Sequence, residues 1–200
     1  MPQLVWLITG CSSGFGEIFV RQLLERGDLV IATARRPERI QHLAKLGAAA
    51  LQLDVTDSQQ TIRERVAAAV AVHGRIDVLV NNAAYIATGA WEDLEYVPHC
   101  PHVRRSFQKM FTGSSYCLHP SPKGICLLTD FGAENRYEQF LAQFETNVFG
   151  AIKVTKAVLP HFRERRAGTN VFISSRSGWC GDPFCSAYSG SKFALEGKQE

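Results

Sequence analysis

The chain has 200 residues, 46% of them hydrophobic and 20% charged, and a formal charge of +3. That length suits one domain with a single sizeable core, and so small and dispersed a charge argues against nucleic acid or an acidic membrane as a partner. No run approaches the roughly 20 apolar residues of a membrane span, and "MPQLVWLITG" has no basic leader or cleavage site. The expectation is a cytoplasmic protein whose six cysteines are reduced thiols.

The elements alternate in type from the start. "LVWLI" at 4–8 is a short apolar run ending at Gly10, the signature of a buried parallel strand. Ile18, Phe19, Leu23 and Leu24 recur at helical spacing over 16–27, with Gly27 as a stop. "LVIATA" at 29–34 predicts a second strand. "PERIQHLAKLG" at 37–47 predicts a helix with Pro at its start and Gly after its end. A third strand is expected over 49–55. Asp57 is the expected N-cap of a long helix reaching residue 74. A fourth strand is expected over 76–83. Strand and helix in strict turn predict a parallel sheet with right-handed crossovers.

From 93 to 136 no period is sustained, and the segment holds half of the chain's prolines, cysteines and histidines. A structureless loop of that length is improbable inside a compact domain, so it reads as an atypical, poorly ordered insertion. His99, Cys100, His102, Cys117, His119 and Cys126 lie in it, but their spacings match no structural zinc site, and no metal is expected. Helix is expected again over 137–166, a fifth strand over 169–175, and a last helix from about Ser186.

Three places carry chemistry. "TGCSSGFG", Thr9 to Gly16, puts Gly10, Gly14 and Gly16 between the first strand and first helix. Glycines there let the backbone turn and approach a phosphate, which the helix N-terminus attracts. Cys11, inside this loop, reads as a bystander. The second strand ends "ATARRPE": an acid that would bind a ribose 2′-hydroxyl is missing, and Arg35 and Arg36 suit a 2′-phosphate, so NADP(H) is preferred over NAD(H). The competing reading of the two arginines is a solvated surface pair. Finally, Tyr188 and Lys192 are four apart on a predicted helix and share a face, where an ammonium would stabilise a phenolate for acid/base work.

In order along the chain, "TGCSSGFG", "LDVTD", "NNAA", "FETNVFG", "ISSRSG" and "YSGSK" resemble the short-chain dehydrogenase/reductase family, over about 1–92 and 137–196. The resemblance implies an α/β fold, a Rossmann-like doubly wound parallel sheet of five strands, forming one nucleotide-binding domain over 1–200 with the insertion at 93–136 inside it. It implies an oxidoreductase passing a hydride between NADP(H) and a small-molecule carbonyl or alcohol. By the same resemblance Gly10, Ser12, Ser13, Gly14 and Gly16 would cradle the pyrophosphate, with Phe15 beside it. Asp54 would bond the adenine with Val55 next to it, though Asp54 could instead cap the following turn. Asn81 and Ala83 would line the adenosine and ribose side. Ser175 would orient the substrate carbonyl, with Ser174 its rival. Tyr188 would move the proton, Lys192 would hold the nicotinamide ribose, and Asn147 would fix a water, unless it is a solvated polar residue of its helix.

The family pattern also continues beyond "KFALEG", which here is followed only by "KQE". The later strands would then be missing and the interface helix cut short, making a family-type homo-oligomer doubtful. The alternative expectation is a catalytically silent nucleotide-binding fragment.

Overall fold

The computed structural model describes residues 2–87, 134–182 and 185–197. Five strands, β1 (Val5–Ile8), β2 (Leu29–Ala34), β3 (Ala49–Gln52), β4 (Val78–Asn81) and β5 (Thr169–Phe172), form one sheet in the order β3-β2-β1-β4-β5. Every pairing is parallel. The order reverses direction at β1, so the crevice between the β1 and β4 loops opens at the carboxyl edge, the usual ligand site of such sheets.

Helices cover both faces. On one side α3 (Gln59–His73) and α5 (Ala151–Arg165) bring Ile62, Val66, Val154, Val158 and Phe162 onto Val5, Leu7, Ile31 and Leu79. On the other, α1 (Gly14–Glu25) and a 3-10 turn (Pro37–Ile40) running into α2 (Gln41–Ala44) bring Val20, Leu23, Ile40 and Leu43 onto Ile8, Val30, Ala32, Val78 and Val80. Each such aliphatic side chain, once buried, contributes about 1.5–3 kcal/mol. The two-residue strand period sorts the side chains: Leu79 joins one layer, Val78 and Val80 the other.

The structure trims several predicted spans. β3 and β4 stop at Gln52 and Asn81, before the expected 55 and 83; apolar composition runs on past the last ladder partner, and a strand lasts only while a neighbour pairs with it. Ser58, not Asp57, caps α3, its hydroxyl accepting from the Thr61 N–H at 3.1 Å. The expected helix over 137–166 is α4 (Glu134–Phe144), a π-helical segment (Glu145–Gly150) and α5 in succession. There a Cβ on Gly150 would come 2.7 Å from Val55 Cγ2, so glycine lets this segment lie directly on the chain leaving β3. The last helix, α6 (Ser186–Glu196), packs on the π segment, on α4 and on a 3-10 turn (Arg176–Gly178) that follows β5. No helix among the described residues is long and apolar enough to cross a membrane. Most of the 93–136 segment, with the histidines and cysteines weighed for zinc, lies outside the described residues.

Candidate active site

At the carboxyl end of β1 the backbone takes positive φ at Gly10 (71°) and Gly14 (62°), values an L side chain rarely adopts. A Cβ on Gly10 would lie 2.7 Å from the Ala83 Cα, and one on Gly16 would lie 2.5 Å from the Gly10 carbonyl oxygen. The loop after β4 braces this turn. Asn82 Nδ2 donates to the carbonyls of Thr9 (2.9 Å) and Gly10 (3.0 Å), while Thr9 Oγ1 accepts from the N–H groups of Asn82 and Ala83, both at 3.0 Å. Ser13 precedes α1 in extended conformation, and its hydroxyl makes no capping bond. The first N–H groups of a helix have no partner within it, so this end is built to receive an anion. Gly14 has open space around its Cβ direction, Ser12 is half-buried, and Ser13 and Phe15 are exposed. The cradle fits a pyrophosphate. Cys11 behind it is buried, and burial pushes its thiol up to about 12 despite the opposing hydrogen bond with the Thr33 backbone. Such a thiol is inert.

Beyond β2, Arg35 and Arg36 are both exposed. Asp54 accepts from the Thr56 N–H (2.9 Å) and hydroxyl (2.7 Å), and so caps the turn after β3, the second of the two roles open to it in the sequence. Val55 is buried in the core against Gly150. Asn81 is likewise buried, its Nδ2 donating to Thr155 Oγ1 (3.0 Å) and Asn170 Oδ1 (2.9 Å). It shares strand parity with Leu79 and faces α5, so Asn82 is the asparagine that reaches the glycine loop. The alternation of β4 contained that signal.

Asn147 lies in the π segment and is 1% exposed, which removes the solvated reading. Its amide pairs with the backbone of Tyr85, accepting from the N–H at 3.1 Å and donating to the carbonyl at 3.0 Å, and it also donates to Ser191 Oγ at 3.1 Å. Gln143, one turn earlier and fully buried, donates to the same Tyr85 carbonyl at 2.7 Å. Together these two amides fasten the β4 loop to the helix layer and, through Ser191, to α6. Gln143 escaped the sequence reading because a lone glutamine in an amphipathic helix looks solvated.

On α6, Tyr188 is half-buried and Lys192 is 2% exposed, with Nζ 5.6 Å from the Tyr188 ring centroid. Nζ donates to the Ile173 carbonyl at 2.7 Å. Burial draws the Lys192 pKa below the usual lysine range, and the Glu196 charge acts against that. Ser175 Oγ accepts from the Ser177 N–H at 3.2 Å, capping the 3-10 turn, while Ser174 Oγ donates to the Glu196 carboxylate. Tyr188, Lys192 and Ser175 thus belong to two elements in direct contact. Asn147 joins them through Ser191, and the glycine loop is tied to the same β4 loop.

Comparison with known proteins follows this geometry. The "short chain dehydrogenase" family profile matches residues 4–118 and 126–199, so it runs through much of the segment that composition set apart. A 3-ketodihydrosphingosine reductase of Bacteroides thetaiotaomicron is 35% identical over 100% of the chain and 56% of its own length. The crystal structure of a short-chain dehydrogenase from Streptomyces avermitilis superposes with a TM-score of 0.72 at 34% identity, over 98% of this chain and 58% of that one. The closed form of a serine dehydrogenase complexed with NADP+ gives a TM-score of 0.70 at 28% identity, over 97% and 63%. The chain therefore spans little more than half the length of the curated relatives it matches.

Proposed function

Since the chain belongs to the short-chain dehydrogenase family, we propose that it is an NADP(H)-dependent oxidoreductase of carbonyl and alcohol substrates, working as one nucleotide-binding domain. Gly10, Ser12, Ser13, Gly14 and Gly16 would hold the pyrophosphate, with Phe15 over it and Ala83 lining the ribose side. Arg35 would meet the 2′-phosphate, an assignment favoured by the absence of an acid at the end of β2. When bound, the nicotinamide supplies the hydride for reduction or accepts it in oxidation.

The remaining chemistry belongs to the chain. In reduction the Tyr188 phenol gives its proton to the carbonyl oxygen as the carbon gains the hydride, and it takes that proton back in oxidation. The Lys192 ammonium beside the ring stabilises the phenolate left behind. Ser175 directs its hydroxyl to the substrate oxygen. Asn147 holds the β4 loop and α6 in register. The observation that carries this reading is the pairing of a buried ammonium with a half-buried phenol on α6, against the turn that bears Ser175.

Titrating the chain with NADPH, followed by nicotinamide fluorescence, and then offering aliphatic, aromatic and steroid ketones tests it. Enhanced or shifted fluorescence with NADPH oxidation on at least one ketone is expected. Binding without turnover across the panel would remove the proton-transfer assignment, and absent binding would remove the nucleotide assignment.

A further inference from the structure

Tyr188, Lys192 and Glu196 follow one another at four-residue spacing on α6 and so form one stripe along it. The chain leaving β5 runs along that stripe. Its Ile173 carbonyl takes the Lys192 ammonium, and its Ser174 hydroxyl donates to the Glu196 carboxylate. The 3-10 turn then approaches so closely that a Cβ on Gly178 would lie 3.2 Å from both Glu196 Cγ and the Lys192 carbonyl oxygen. Ser174, Ser175, Arg176, Trp179 and Glu196 line a groove of about 530 Å³ at this contact.

From this stripe and the loop laid against it, we infer that Glu196 is a positioning residue of the site, holding the Ser174–Ser175 loop onto α6 and setting its carboxylate one helical turn from buried Lys192. The inference rests on the reading of Tyr188 and Lys192 given above. Burial alone would favour a neutral lysine, and Glu196 is the charge that opposes it. Other described charges on the elements packed against α6 are engaged or solvated. Arg176 on the turn pairs with Asp182, which also accepts from Ser177. Glu145 in the π segment pairs with Lys153, and Glu138 on α4 is exposed. The residue was not visible in the sequence because a glutamate at the end of an amphipathic helix ordinarily faces water.

Two substitutions separate the charge from the bond. Glu196→Gln keeps the size and an oxygen acceptor for Ser174 but removes the charge; Ser174→Ala removes the bond and keeps the charge. The Lys192 side-chain ammonium is titrated by nitrogen-15 NMR on the labelled chain, which needs no substrate. In Glu196→Gln its midpoint falls, and kcat/KM drops about tenfold further at pH 9 than at pH 7. In Ser174→Ala the midpoint stays and the melting temperature falls. A third variant, Glu196→Asp, keeps the midpoint near wild type. A Lys192 midpoint unmoved in Glu196→Gln overturns the inference. Absent turnover in the wild-type chain defeats only the functional reading, and the NMR arm still decides the role of Glu196.

Discussion

The two edges of the sheet use similar residues in opposite ways. At the amino edge two carboxylates hold the start of β1. Asp77 accepts from the Val5 N–H at 2.8 Å, from Arg75 at 3.0 Å and from Arg165 at 2.8 Å. Asp28 takes the Leu4 N–H, the Trp6 indole and Arg26, whose guanidinium also lies over the Trp6 ring. There the protein answers its own polar groups. At the carboxyl edge, by contrast, the glycine turn is followed by an exposed Ser13 that caps nothing, and Tyr188, the proposed acid, stays half-buried. The lesson is that the groups holding the strands and the groups proposed for chemistry lie at opposite ends of the same sheet, a division that parallel α/β sheets permit because their loops gather by direction.

That division can be broken experimentally. The largest effect is expected from Tyr188→Phe, which keeps the ring and removes the proton: turnover should fall about 10³-fold with NADPH affinity retained, as steady-state kinetics beside a fluorescence titration would read. Gly16→Ala comes next. Its methyl meets the Gly10 carbonyl oxygen and the Asn82 amide nitrogen bonded to it, so NADPH affinity should fall more than about tenfold with a lowered melting temperature. Gly14→Ala meets nothing within 4 Å and should cost only about 1 kcal/mol, from its positive φ.

At the other edge, Asp77→Asn should cost about 2 kcal/mol in urea unfolding while leaving the NADPH affinity unchanged. Its pH dependence has a definite sign. Burial acts to raise the Asp77 pKa, but the bonds from Val5, Arg165 and Arg75 outweigh it and hold the carboxyl below the usual range. A group depressed on folding stabilises above its unfolded pKa, and that contribution disappears as pH falls through the folded one. Wild type should therefore lose its advantage over Asp77→Asn only in acid, below the ordinary carboxylate range. At Arg35→Ser the expected effect is confined to one cofactor, about tenfold weaker NADPH binding with NADH binding unchanged.

How much of this was legible in the residues depends on the kind of signal. Strand and helix alternation over the first eighty residues was clear because each element is short, periodic and punctuated by glycine, and the structure has the parallel sheet those signals predict. Boundaries were less so, since pairing partners and not composition end a strand, as β3 and β4 show. The glycine loop was legible as a motif, but its brace was not. Asn81 and Asn82 are adjacent and identical in type, and only strand parity sends one to α5 and the other to the loop. Contacts between distant segments, Gln143 with Tyr85 and Ser174 with Glu196, leave no local trace.

The wide turn at Glu145–Gly150 also constrains how this chain can vary. A π turn accommodates one residue more than the ordinary spiral, so losing one residue there restores the regular spiral and leaves α4 and α5 in register. Losing one from the regular helix would instead swing everything upstream by about 100° around the axis. Gln143 and Asn147, four apart across the start of the segment, both donate to the Tyr85 carbonyl, and that spacing is the one the helix has to keep. A change of length in this helix is therefore tolerated best within the wide turn, downstream of Asn147.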